Sequence, residues 1–230
     1  MHTLYHHVMN PGSRYVRLLL AEYTQSVSLL EEKIWQRRPE FMQLNPAGTL
    51  PVLQQEDGTC VCGPMVIGEF LDETCGALMR DKRLMPEHAA ERAETRRLVE
   101  WFLVKFDAEV SRYVVQERVF KQLMRSDEGG GPPDSSKIRA GRGNLKNHMK
   151  YAAMLASSRD WLAGAKLSHA DLAAAAALSV LDYLGEVKWS EEPAVKDWYV
   201  RIKSRPSFRP LLEDKVMGLP PASHYIDLDF

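Results

Sequence analysis

The chain has few cysteines, no long apolar run and no excess of either charge. Three cysteines in 230 residues, Cys60, Cys62 and Cys75, do not make a disulfide framework. Cys60-x-Cys62 lacks the wider spacing of a zinc or redox pair, and no second pair exists, so all three are expected to be structural. His2, His6 and His7 have no cysteine or acidic partner beside them, and no metal site is expected. The longest apolar stretch, Ala170 to Leu181, is mostly alanine and includes Asp171 and Ser179. It is shorter than the ~20 residues a membrane span needs. The first residues lack the basic and apolar regions of a secretory signal, so a reducing cytoplasm is the expected compartment. Thirty basic residues against 31 acidic ones leave a net charge of −1, and no global field for holding nucleic acid.

What is present is an ordinary globular composition, 45% hydrophobic and 27% charged, which excludes disorder as the main state. Charge is uneven: −4 over residues 1–79, +5 over 80–150 and −2 over 151–230. Leu4 to Val8 reads as a strand and Asn10 to Ser13 as a turn. Tyr15 to Tyr23 has helical spacing, and Val27 to Ile34 reads as a second strand. Pro51 to Gln54 and Cys60 to Cys62 flank a turn at Glu56-Asp57-Gly58 as a hairpin. Met65 to Glu73 reads as a helix. The result is a compact α/β unit over residues 1–79.

From residue 86 the pattern is helical alone. Glu87 to Met124 reads as one long helix, bent if anywhere near Val110 to Val115, with Leu98, Trp101, Phe102 and Phe106 on its apolar face. The Gly129-Gly130-Gly131-Pro132-Pro133 run predicts a flexible loop over 126–143. Helices are expected at Leu145–Trp161, Ser168–Leu184 and Pro193–Ser204. The alanine-rich one belongs at the centre of a helical domain over 86–212. The tail, 213–230, reads as extended or docked.

Asn45-Pro46-Ala47-Gly48-Thr49-Leu50-Pro51-Val52-Leu53 resembles a segment of the glutathione S-transferase family. Trp161 to Gly164 with Ser168-His169-Ala170-Asp171-Leu172 resembles that family's N-capped core helix. Trp198 to Phe208 is similar to its C-terminal helix end. The resemblance implies a thioredoxin-like N-terminal domain, a helical C-terminal domain and a cis Leu50–Pro51 peptide.

The site departs from the family twice. Alignment puts Asn10 where the family carries a serine or cysteine that favours the glutathione thiolate. Ser13 and Tyr5 are possible substitutes. The competing reading is that Asn10 and Ser13 shape the turn and cap the first helix. Alignment also puts Gly63-Pro64 where the family places Glu-Ser or Asp-Ser. Glycine has no side chain and proline no amide hydrogen, so groups that would hold the γ-glutamyl end disappear together. Leu50, Pro51, Gly63 and Pro64 therefore read as a vestigial cleft, with no catalytic residue and no cofactor.

Along its whole length the chain resembles the branch of that family formed by bacterial proteins that bind FtsZ, the tubulin-like GTPase of the division ring. This implies a non-enzymatic homodimer at the division site that engages FtsZ filaments and promotes constriction. The alternative is a divergent glutathione transferase acting on an unknown electrophile. Candidate partner contacts are Trp35, Arg37 and Arg38, and the basic Lys137, Arg139, Arg142, Lys146 and Lys150. Packed aromatics and solvated charges are the competing readings. Asp227, Leu228, Asp229 and Phe230, with Ile226, are either a docking peptide for other division proteins or a cover for their own domain. Leu98, Trp101 and Phe102 stand where the family dimerises, and core packing explains them equally well. Neither nucleic acid nor membrane insertion is expected.

Overall fold

The computed structural model describes residues 2–228. Asp229 and Phe230, two candidate tail residues, lie outside the described residues. The sheet unit consists of β1 (His2–His6), α1 (Pro11–Glu22), β2 (Val27–Glu31), α2 (Pro39–Leu44), β3 (Val52–Gln54), β4 (Cys60–Cys62) and α3 (Pro64–Thr74). Its four strands run in the order β2-β1-β3-β4. β1 is parallel to β2 and antiparallel to β3, and β3–β4 is a hairpin. Leu4 pairs with Leu29 on one side and Leu53 on the other, and is fully buried. β2 is shorter than expected because Ile34–Gln36 closes into a 3-10 turn.

The expected turn at residues 10–13 is the first turn of α1. Asn10 is its N-cap, with Oδ1 accepting from the Ser13 amide at 2.7 Å, and Pro11 fills the first position, where a missing amide costs nothing. α1 is buried from Pro11 to Leu20 because it lies between the sheet unit and the helical unit.

The long helix forms as α4 (Ala89–Glu100), π turns at Trp101–Lys105 and Asp107–Ser111, α5 (Arg112–Val115), a π turn at Gln116–Phe120, and α6 (Lys121–Leu123). The chain stays helical through 110–115; the α-helical pattern is interrupted by the π turn at Asp107–Ser111 and again by the one at Gln116–Phe120. Leu98, Phe102, Phe106, Val110 and Val114 recur every four residues and are each at most 1% exposed. A step of four overshoots one α-helical turn by about 40°. Each π turn holds an additional residue and takes back that overshoot, so one stripe faces the core throughout.

The flexible loop expected over 126–143 is corrected from Ser135 onward. α7 (Ser135–Ser158) starts at Ser135, with Asp134 Oδ1 accepting from the Ser136 amide at 2.8 Å. Gly141 lets α7 approach the long helix: a Cβ there would stand 2.9 Å from Val114 Cγ2. α8 (His169–Tyr183) is buried at every residue and forms the centre of the helical unit. Asp171 Oδ2 accepts from the Ser168 amide at 3.0 Å, and Oδ1 accepts from the Leu162 amide and from Trp198 Nε1. α9 (Pro193–Lys203) and α10 (Arg209–Leu212) complete the unit. The tail is docked: Tyr225 is fully buried and donates to the Leu211 carbonyl at 3.0 Å. His224 Nε2 lies 2.9 Å from Asp182 Oδ1.

Candidate functional site

The two units meet along a cleft of about 980 Å³. On the sheet side, three chain reversals line it: Asn10 after β1, Thr49–Leu50 before β3, and Gly63–Pro64 after β4. The Leu50–Pro51 peptide is cis. On the helical side, Val104, Asp107, Ser111, Val115 and Phe120 line the facing wall. That wall is the stripe offset from the core-facing one, a helical periodicity visible in the sequence but not singled out there.

Ser13 is not available to a thiol in the cleft. It is fully buried, and its Oγ accepts from the His7 amide at 3.3 Å. Tyr5 donates to Gln54 Oε1 at 3.4 Å and packs on Phe41, outside the cleft. Asn10 does line it, but its side-chain oxygen is committed to capping α1. The Gly63 amide is spent on the Pro51 carbonyl at 3.0 Å. Gly63 holds φ +91°, and Pro64 starts α3 against Gly12, where an added Cβ would approach Pro64 Cγ to 3.0 Å. Leu50, Pro51, Gly63 and Pro64 do come together, as a rim without side-chain hydrogen-bonding groups.

Trp35 is a cleft residue rather than an outer-surface anchor. Its ring packs on Phe120 and His7 at centroid distances of 5.3 and 5.9 Å, joining the two units. Trp35 Nε1 and Ser111 Oγ are buried without a hydrogen-bond partner among the described residues. Both residues line the cleft. Burial pushes the Asp107 carboxyl up, against the pull of Arg112 at 3.5 Å.

The basic candidates divide. Arg38 is held by buried Glu32 at 2.5 Å. Lys137 lies 3.3 Å from Glu117. Arg142 pairs with Glu186 at 2.6 Å. Arg37, exposed and lining the cleft, and Arg139, Lys146 and Lys150 on α7, carry no ion pair among the described residues. In the tail, Ile226 and Leu228 are exposed by 64% and 39%.

The dimer candidates need correction. Leu98 and Phe102 are buried in the protomer's own core and leave no surface for a partner. Half-buried Trp101 packs on Tyr151 at a tilted ring distance of 4.4 Å and donates from Nε1 to His148 Nδ1 at 3.1 Å. Exposed apolar side chains stand elsewhere, at Met65 and Val66 on α3 and Val104 on the long helix.

Two buried polar networks, missed in the sequence, lock the units together. Arg14, fully buried, donates to Ser179 Oγ and to Tyr225 Oη, each at 2.9 Å, and lies 3.7 Å from Asp214. His169 contacts Tyr15 Oη through Nδ1 at 2.7 Å and Tyr23 Oη through Nε2 at 2.9 Å. Charged residues inside apolar helical stripes were the available signal for Arg14.

Among the described residues, no group of three or more histidine, cysteine or acidic side chains could hold a metal ion. No helix among them is long and apolar enough to cross a membrane.

A mixed sheet capped by helices, joined to a helical unit across a cleft rimmed by a cis-proline, defines a class. The glutathione S-transferase N-terminal domain family matches residues 11–74, and the C-terminal domain family matches residues 131–206. The chain belongs to the glutathione S-transferase family. It is 44% identical over 99% of its length, and 98% of the relative's, to FtsZ-localized protein A of Caulobacter vibrioides. The structure of FzlA from C. crescentus superposes with a TM-score of 0.92 at 44% identity, covering 100% of this chain and 99% of that one. A glutathione S-transferase from Sinorhizobium meliloti 1021 superposes with a TM-score of 0.99 at 56% identity over 100% of both chains.

Proposed function

We propose that this protein is a non-enzymatic regulator of bacterial cell division that binds FtsZ filaments as a homodimer and promotes constriction at the division site. The observation that carries the reading is the rim at Gly63–Pro64. One amide is consumed by the Pro51 carbonyl and the next is a proline, so positions 63 and 64 offer no hydroxyl, carboxylate or free amide to a γ-glutamyl group. A charged hydrogen bond is worth about 1.5–3 kcal/mol. The loss of two or more implies a glutathione affinity at least about a hundredfold weaker than an intact site gives. The relative named FtsZ-localized protein A supports the partner.

Arg37 and the unpaired cations of α7 are the filament contacts, since filaments of that family are acidic. Two copies about one symmetry axis convert a weak contact into an avid one. The tail, with Asp227 and Leu228, serves a second division partner. The deciding experiment is co-sedimentation with FtsZ, with and without GTP. Pelleting only with polymer, and a steep loss of it with salt, supports the reading. Absence from the pellet at low salt removes FtsZ as partner.

A second reading, a glutathione transferase with a divergent site, is favoured by the intact 980 Å³ cleft and the Sinorhizobium relative. Calorimetric titration with glutathione separates the two. Binding tighter than millimolar favours the transferase.

A further inference from the structure

The cleft keeps apolar surface that neither the lost glutathione anchors nor the filament contacts use. Met65 and Val66 of α3 and Val104 of the long helix line it, and they are 37%, 58% and 51% exposed. One carboxyl stands beside them. Val104, Asp107, Ala108 and Ser111 all line the cleft, and at i, i+3, i+4 and i+7 they share one helix face. Burial pushes the Asp107 carboxyl up, as expected of a carboxylate short of compensating charge. Its cation is Arg112, only at 3.5 Å, with a side chain 74% exposed against 24% for Asp107. An exposed pair of this kind contributes little. The other lining charges are Arg37 and Glu128. Glu128 is already engaged, since Oε2 accepts from the Arg125 amide at 2.9 Å and Oε1 lies 3.6 Å from the Arg125 guanidinium.

Ser111 supplies an independent observation. It lines the cleft, is 1% exposed, and its Oγ has no hydrogen-bond partner among the described residues. A buried hydroxyl left unpaired costs stability. A serine inside a helix usually turns back to the carbonyl four residues earlier. Here that carbonyl belongs to Asp107, and the π turn gives it to the Arg112 amide. Rotation about its one side-chain torsion can offer the Ser111 hydroxyl to a group seated beside Asp107, four residues away on the same face.

We infer that this part of the cleft is a binding site for an amphipathic amine, a protonated primary amine carried on an alkyl or aryl body. The ammonium takes the place of Arg112 as the partner of Asp107 and donates to Ser111 Oγ. The body lies over Met65, Val66 and Val104. An ammonium has three donors and no acceptor, which suits a carboxylate and a hydroxyl oxygen standing together. A carboxylic acid of the same shape meets Asp107 as a like charge, and a neutral body gains the apolar contact alone. The ligand needs no thiol and no γ-glutamyl group, so this is a different chemistry from the one whose anchors are missing at residues 63 and 64. The inference goes beyond both readings above. Its test contains neither filaments nor glutathione, so it can fail without them and they without it.

The test is calorimetric titration of the whole chain near neutral pH with phenethylamine, beside the neutral phenethyl alcohol and the anionic hydrocinnamate. Saturable binding of the amine is expected, about tenfold or more tighter than that of the alcohol. Asp107→Asn should remove this preference. Arg112→Gln, which frees Asp107 of its competitor, should tighten the amine by about twofold or more. Asp197→Asn makes the same charge change as Asp107→Asn on an exposed residue of α9 outside the cleft, and should alter the affinity less than about twofold. Thermal melting of each variant confirms that it is folded. Amine binding no tighter than that of the alcohol overturns the proposal. So does equal weakening by Asp197→Asn, which indicates net charge alone. So does weakening by Arg112→Gln with hydrocinnamate bound as tightly as the amine, which makes the cleft an acid site.

Discussion

Tyr15 of α1 and His169 of α8 meet at 2.7 Å across the boundary between the sheet unit and the helical unit. Tyr23 holds the other ring nitrogen, and Arg83 pairs with Asp72 at 2.6 Å beside it. His169 is 1% exposed, so its imidazole is a neutral bridge between two phenols rather than a charge. It couples the folding of the two units.

Burial lowers His169 from 6.5 to about 4, against the raising pull of Asp72 and Glu69. Between those values the unfolded chain binds more protons than the folded one. Stability therefore rises with pH across that window and is flat above it. Acidifying from pH 8 to pH 5 is expected to cost about 2 kcal/mol through this residue alone. His6 and His7, also lowered to about 4 by burial, act in the same direction. Urea denaturation at a series of pH values measures it. A flat profile down to pH 4.5 would show that these rings are protonated in the fold.

Gly68 of α3 faces Tyr15 so closely that a Cβ would stand 2.6 Å from the phenol oxygen. Gly68→Ala must displace that hydroxyl from His169. The expected loss is about 1–3 kcal/mol, despite alanine's better helix propensity. Thermal melting reads it, and a raised Tm would contradict the stated packing.

The two glycines of α7 should respond with opposite sign. Gly143→Ala meets open space and is expected to stabilise by about 0.5–1 kcal/mol. Gly141→Ala drives a methyl against Val114 and Tyr113 and should destabilise by about 1 kcal/mol or more. Paired denaturation curves settle both signs in one experiment.

Pro64→Ser returns a hydroxyl and an amide to the start of α3, leaving Gly63 and its positive φ in place. Glutathione affinity should tighten by about tenfold to a hundredfold, read by calorimetry. No change would mean that the thiol end, with Asn10 in place of a hydroxyl, limits binding more than the γ-glutamyl end.

Most of the fold was legible because its signals are local. The Asn45–Leu53 segment, the Ser168–Asp171 cap and the alanine run of α8 each carry their geometry within a few residues. The loop misread at 135–143 shows the limit. A glycine in a polar stretch looks the same whether it loosens a chain or admits a neighbouring helix, and only Val114, distant in sequence, distinguishes them. The candidate site was half legible. The rim at Gly63–Pro64 could be read from residue types alone. Trp35 could not be assigned to cleft or surface until Phe120 was placed against it, and Leu98 and Phe102 could not be assigned to core or interface until the protomer had closed over them.

Resemblance along the sequence carried the family architecture and the cis Leu50–Pro51 peptide, and residue types alone showed that positions 63 and 64 bear no side-chain hydrogen-bonding group, because glycine and proline lack one. Tertiary structure decided which cations remain free. Arg38, Lys137 and Arg142 look the same in sequence as Arg37, Arg139 and Lys146. A charge's availability depends on whether a carboxylate from another element, such as Glu32, Glu117 or Glu186, reaches it first.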